Sequence, residues 1–175
     1  DINSRYFKLI YNNIDQMSQF FEREQVITRM IMLASRAFGQ AIENKDETLF
    51  EKVIKIVEEF DHGEGFYYKE IDGRITSWIP SKHMALNWRM SFYKELGIID
   101  KYEMNKKEYI QKIWDDYAEL NTMAWNAYLN EEDSRVLNEA IDLVKRSLEL
   151  NSNYANNDTY AALLFKLGHY EDALQ

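Results

Sequence analysis

Apolar residues recur at intervals of three and four along most of this chain, the period of one face of an α-helix. Ser4 precedes Phe7, Ile10 and Ile14, and a serine so placed can accept hydrogen bonds from the first helical amides. Asp15 opens a short stretch that ends near Phe21. Val26, Ile27, Met30, Leu33, Ala34, Ala37, Phe38, Ala41 and Ile42 then form the broad stripe of a longer, half-buried helix. Asn44-Lys45-Asp46 interrupts that stripe, and Asp46 leads into Leu49, Phe50, Val53, Ile54 and Val57. The link is so short that the two helices are expected to form an antiparallel hairpin.

The helical period is lost over 61–79. Gly63, Gly65 and Gly73 are mixed with Phe66, Tyr67, Tyr68 and Trp78, which predicts a long loop with a short strand pair around Asp72-Gly73. Pro80 and Ser81 precede Met84, Leu86, Trp88, Phe92 and Leu96, a helix that Gly97 can close. Asn105 is expected to cap one long helix carrying Tyr109, Ile110, Ile113, Trp114, Tyr117, Leu120, Met123, Ala124, Ala127 and Tyr128. Asp133 or Ser134 starts another with Val136, Leu137, Ala140, Ile141, Val144 and Leu148. The last helical pieces are 158–167, stopped by Gly168, and the residues from His169 onward. The expected architecture is all-α, a single domain over 1–175. Its parts are N-terminal helices (1–60), an aromatic and glycine-containing loop (61–80) and helices over 81–175 that end in a tetratricopeptide-like pair (about 120–175).

Composition supports this class and removes several functions. One proline and six glycines leave little turn chemistry for an all-β fold. Twenty-five aromatics and 46% hydrophobic residues in 175 are enough for a real core. The absence of cysteine excludes a disulfide framework, a thiolate zinc site and dithiol redox chemistry within these residues. Thirty Asp and Glu against twenty-one Lys and Arg give a formal charge of −9, which disfavours nucleic acid as a partner. Lys45, Lys52 and Lys55, like Lys106, Lys107 and Lys112, are interleaved with acids and make no basic stripe. No apolar run approaches a membrane span. Asp1 stands where an initiator Met would, and Gln175 falls inside a helical pattern, so an excised or trimmed segment is expected.

An internal repeat organises the C-terminal end. Glu139-Ala140-Ile141 and Asp172-Ala173-Leu174 place their alanines 33 residues apart, about one tetratricopeptide period. Thr122-Met123-Ala124-Trp125-Asn126-Ala127-Tyr128 superposes on Thr159-Tyr160-Ala161-Ala162-Leu163-Leu164-Phe165 at an offset of 37. The difference predicts a longer turn, Asn130-Glu131-Glu132-Asp133, in the first unit. Small residues at Ala124, Ala140, Ala161 and Ala173 would let paired helices approach closely. The repeat is degenerate: Ser152, Asn157 and Val144 stand where proline, tryptophan and an aromatic are usual. The plainer alternative is an ordinary helical hairpin with an accidental period.

The stretch Leu120-Asn121-Thr122-Met123-Ala124-Trp125-Asn126-Ala127-Tyr128, with Ala140-Ile141, Ser147-Leu148 and Asn153-Tyr154 through Asp158-Thr159-Tyr160-Ala161-Ala162-Leu163-Leu164-Phe165-Lys166-Leu167-Gly168, carries a resemblance. It is similar to the helical tetratricopeptide-like region that follows the thioredoxin domain in thioredoxin-family proteins of Bacteroidetes-type bacteria. The match covers about fifty residues, and 4–44 is compatible with the helical segment of such proteins. The chain departs from them in having no Cys-x-x-Cys and no βαβ pattern. The resemblance therefore implies the helical appendage without the redox domain, a place in the periplasm or cell envelope, and no catalytic residue to carry over.

Candidate chemistry is sparse. Glu58, Glu59, Asp61, His62 and Glu64 form the best group for a hard cation, but their spacing fits no calcium loop. His62, His83 and His169 are scattered and lack metal-ligand spacing. No Gly-x-Ser-x-Gly frames a serine. Asp115 and Asp116 are adjacent on one expected helix, so they point about 100° apart and make no paired acid and base. No metal and no cofactor is expected. The expected function is a non-catalytic protein-interaction or scaffold module whose partner is a protein, a peptide or an adjoining domain of the same parent chain. Its binding face would present Asn121, Trp125 and Tyr128 with Asp158, Ala162 and Phe165. Two alternatives stand beside this one: an enzyme with a site formed by the 61–80 loop and helix ends, and a face whose Trp125 and Tyr128 simply pack into the chain's own core.

Overall fold

The computed structural model describes residues 2–60, 68–71, 74–78 and 83–174, with the side chains of 24, 60, 68–71 and 74–78 left out. The fold is all-α. Ten helices and one antiparallel strand pair lie among the described residues. The chain divides into two compact units, Asp1–Lys106 and Lys107–Gln175.

The first unit begins with α1 (Arg5–Tyr11), where the Ser4 hydroxyl accepts from the Phe7 amide at 3.1 Å as its position predicts. A short α2 (Ile14–Met17) leads to α3 (Arg23–Asn44) and α4 (Glu47–Phe60). Lys45 takes a left-handed conformation (φ 52°), the Asp46 amide returns to the Ala41 carbonyl at 2.9 Å, and Asp46 Oδ1 caps Leu49 at 2.9 Å. One helix thus ends and the next begins within two residues. The strands β1 (Tyr68–Ile71) and β2 (Arg74–Trp78) pair antiparallel, with Ile71 opposite Arg74 and Tyr68 opposite Trp78, and β2 lies along α3. Asp72 and Gly73, like 61–67 and 79–82, lie outside the described residues.

α5 (Met84–Glu95) closes the core of this unit. The Phe50 and Phe92 rings stack 3.8 Å apart and 2° from parallel, and Phe38 stacks on Trp88 at 4.7 Å. Met30, Ala34, Val53, Ile54 and Val57 are fully buried around them. Arg89 reaches from α5 to Glu51 (3.4 Å) and Glu58 (2.9 Å) on α4. Gly97 (φ 70°) ends the helix as expected, with the Ile98 amide on the Tyr93 carbonyl.

The next elements differ from the periodic pattern. Asn105 caps nothing: it lies inside α6 (Ile99–Ile113), buried, with its Nδ2 on the Lys101 carbonyl at 2.7 Å. The single long helix expected from Asn105 to Tyr128 is two, because α6 stops and α7 (Tyr117–Asn130) starts after the link 114–116. Asp116 Oδ1 accepts from the Ala118 and Glu119 amides, both at 3.2 Å. Asp115 and Asp116 are therefore in a link, one of them a cap, and not side by side on a helix. Both flanking helices use the same three-and-four spacing, so the apolar pattern runs through the break without a mark.

α8 (Ser134–Leu150) is capped by Asp133, and α9 (Tyr154–Lys166) starts one turn ahead of Asp158, inside a capping box made by Asn153 and Asn156. α10 (Tyr170–Ala173) follows Gly168 (φ 86°). The links 131–133 and 167–169 are equally long, so the first unit of the repeat does not have the longer turn that the offsets suggest. The extra residues are helical instead: Ala140 is the seventh residue of α8, Ala173 the fourth of α10.

Candidate partner-binding surface

α7, α8 and α9 pack on one another through leucines, Leu120 and Leu163 fully buried among them, with smaller groups between. Ala124 on α7 and Val144 on α8 are fully buried, with Ala140 and Leu137 nearly so. A buried polar chain sets the angle at which the helices meet. Asn156 donates from Nδ2 to Ser147 Oγ (3.0 Å) and to the Asn151 carbonyl (2.8 Å), and its Oδ1 accepts from the Asn153 amide (2.9 Å). Ser147 Oγ in turn donates to the Tyr117 carbonyl at 2.7 Å. The starts of α7 and α9 are thereby tied to the end of α8, with each polar group satisfied. Arg146 adds a second tie, bonding the Trp114 carbonyl (3.3 Å), Asp115 (2.9 Å) and Glu149 (3.1 Å).

This scaffold sets α7 and α9 side by side. On α7, Asn121, Trp125 and Tyr128 share one helical face and all three are half-buried. The Trp125 and Tyr128 rings lie 4.9 Å apart at 32°. On α9, Asp158 is exposed, Ala162 half-buried and Phe165 64% exposed. The offset of 37 pairs Tyr128 with Phe165, yet the ring that Phe165 meets is Tyr170, edge-on at 5.1 Å. The side chain beside Tyr128 is Lys166: its Nζ donates to the Tyr128 carbonyl (2.8 Å), pairs with Glu132 (2.9 Å) and stands 5.5 Å from the ring centroid. Sequence reasoning missed Lys166, although a lysine in the last turn of a helix is well placed to meet carbonyl groups.

Trp125 and Tyr128 thus match neither extreme expected of them, being neither sealed in the core nor fully open. A half-buried, paired aromatic keeps a fixed orientation and leaves apolar surface for a further contact.

The other candidate groups are engaged or fall outside the described residues. Glu58 holds Arg89, and Glu59 accepts from the Tyr11 hydroxyl. Burial first, then the Glu59 carboxylate, pushes the Tyr11 phenol up to about 12. Asp61, His62 and Glu64 lie outside the described residues, as do Phe66 and Tyr67. Among the described residues no group of three His, Cys, Asp or Glu is arranged to hold a metal ion. His83 precedes α5 in a left-handed conformation (φ 65°), and His169 is exposed before α10. An open depression of about 530 Å³ along α4 is lined by Glu47, Thr48, Glu51, Lys52 and Lys55. Its two carboxylates are already taken, Glu47 by Lys101 and Glu51 by Arg89 and Tyr93. No helix among the described residues is long and apolar enough to cross a membrane.

No protein-family model matches this chain, and no curated protein or solved structure matches it.

Proposed function

We propose that Lys107–Gln175 is a tetratricopeptide-like interaction module that binds an extended segment of protein across α7 and α9. The observation that carries this reading is the Trp125–Tyr128 pair, half-buried on one face of α7 and braced from α9 by Lys166. Aromatic groups dominate contact energy at protein interfaces, and short polar groups such as Asn121 and Asp158 can fix the register of a bound backbone. On this reading the module is non-catalytic and serves as an appendage of a thioredoxin-like redox protein of the periplasm or cell envelope. The segment it binds belongs to another protein or to an adjoining domain of the parent chain. Support for that parentage is the residue pattern of 120–168.

The test is selection from a displayed library of random nonapeptides, repeated with Trp125→Ala. Enriched peptides should lose about tenfold or more in affinity for the variant, a change on the order of 1.4 kcal/mol, while the melting temperature stays nearly the same. Failure to enrich any peptide, or retention of affinity by the folded variant, would overturn the assignment. Any thiol–disulfide exchange needs a thiolate, so insulin reduction by this chain should equal the buffer blank.

A further inference from the structure

We infer that the segment bound by α7 and α9 is cationic, presenting a lysine or arginine to Asp158 and an apolar side chain to Trp125; this rests on the binding face proposed above. The charge of the molecule is unevenly divided. Residues 107–175 hold six Lys and Arg against thirteen Asp and Glu, a formal −7, whereas 1–106 hold fifteen against seventeen. Most cations of the second unit are already neutralised within it: Arg135 by Glu139, Arg146 by Asp115 and Glu149, Lys112 by Glu108, and Lys166 by Glu132.

Asp158 differs from those carboxylates. It is exposed, and its carboxylate makes no hydrogen bond or ion pair among the described residues. Lys166, the cation beside this face, is held between Glu132 and the Tyr128 carbonyl and covers the Tyr128 ring. A ligand therefore meets a free carboxylate and an indole, and an indole face attracts a cation in its own right. The formal charge of −7 on the unit favours the approach of cationic segments over acidic ones, within a Debye length of about 8 Å. The same charge acts against polyanions such as nucleic acid.

The probes are three synthetic nonapeptides with the same leucine and phenylalanine flanks, differing only in a central lysine, serine or glutamate. Binding to the whole chain is followed by fluorescence anisotropy at about 50 mM and about 500 mM salt, which brackets weak and strong screening. The lysine peptide should bind about tenfold tighter than the glutamate peptide at low salt, with the gap closing at high salt. Asp158→Asn should weaken the lysine peptide about fivefold and leave the serine peptide unchanged. Asp142→Asn, the same charge removed from the exposed side of α8, should change neither by more than about twofold. Equal affinity for the lysine and glutamate peptides, or equal losses in the two variants, overturns the cationic assignment. Trp125-dependent binding of the serine peptide would in that case leave the binding face standing. If none of the three binds, both fall.

Discussion

The two units of this chain bury alanines at helix contacts alike, Ala34, Ala37 and Ala41 in the first and Ala124 and Ala140 in the second, but fill the space around them differently. In the first, large side chains fill the space between α3, α4 and α5, with Phe50 and Phe92 stacked face to face and fully buried. In the second, aliphatic groups (Leu120, Val144 and Leu163) are fully buried beside Ala124, and the buried Asn156–Ser147 bond ties α9 to α8. A core of large rings is vulnerable to truncation, because removal leaves a cavity that the surroundings only partly fill. A contact built on alanine is vulnerable to enlargement. The aromatic residues of the second unit are divided: Phe165 and Tyr170 are exposed, Trp125 is half-buried and Tyr109 is buried.

The largest effect is expected where the first unit depends most on volume. Phe50→Ala should cost about 3–5 kcal/mol in denaturant unfolding, with amide exchange accelerated across α3 to α5. A loss below about 1 kcal/mol would mean the ring stack is not the centre of that core. Next, Ala140→Arg should cost about 2–4 kcal/mol through overpacking and an unpaired buried charge. Ala173→Arg should cost much less, since α10 has four residues and none of them is buried. Similar losses at the two alanines would remove the contrast between a sealed and an open helix contact.

Polar substitutions sharpen the comparison further. Asn156→Ala removes one bond each from the Ser147 hydroxyl and the Asn151 carbonyl and leaves the Asn153 amide without its acceptor, and about 1–3 kcal/mol is expected. Asp116→Ala should cost about 1 kcal/mol, the usual loss of an N-cap. An Asn156→Ala variant as stable as the parent would show that apolar packing alone orients α7 and α9. The smallest effect belongs to the first unit and to high pH. Tyr11 has its pKa raised from 10.0 to about 12, so between those values the unfolded chain releases a proton that the folded chain keeps. Stability should be fully present below pH 10 and decline as pH rises from 10 through 12. Tyr11→Phe should flatten that decline in melts recorded across the same range, and an unchanged slope would remove the Tyr11 phenol as its cause.

The local signals were readable where one residue type does one job. Ser4, Asp46 and Asp133 cap the helices they precede, and Gly97 and Gly168 end the ones they follow. The caps at Asp116 and Asn153 went unread for two different reasons. Asp116 sits in an unbroken apolar period, so nothing local distinguishes a cap from a solvated acid on a continuous helix. At Asn153, the run Asn151, Asn153, Asn156 and Asn157 offers several residues able to cap, and the choice falls to the one whose partner Asn156 is also held by Ser147. The face proposed for binding was legible as a set of positions on two helices. Its local arrangement was not: Phe165 meets Tyr170 instead of Tyr128, and Lys166 takes the place beside Tyr128.

Sequence by itself determined that this protein is all-α, where most of its helices lie, and, at Ala124 and Ala140 though not at Ala161 and Ala173, which alanines are buried at helix contacts. Those properties follow from the period of apolar residues and from backbone chemistry within a few positions. Tertiary structure alone decided that the pattern through 105–128 breaks into α6 and α7, since Arg146, thirty-one residues from Asp115, pins the link from another helix. It also decided that the extra residues of the repeat lengthen α8 and not the turn before it. The physical reason is common to both. A helix end or a side-chain partner is chosen by which long-range contact satisfies its polar groups, and that contact exists only once the helices have packed.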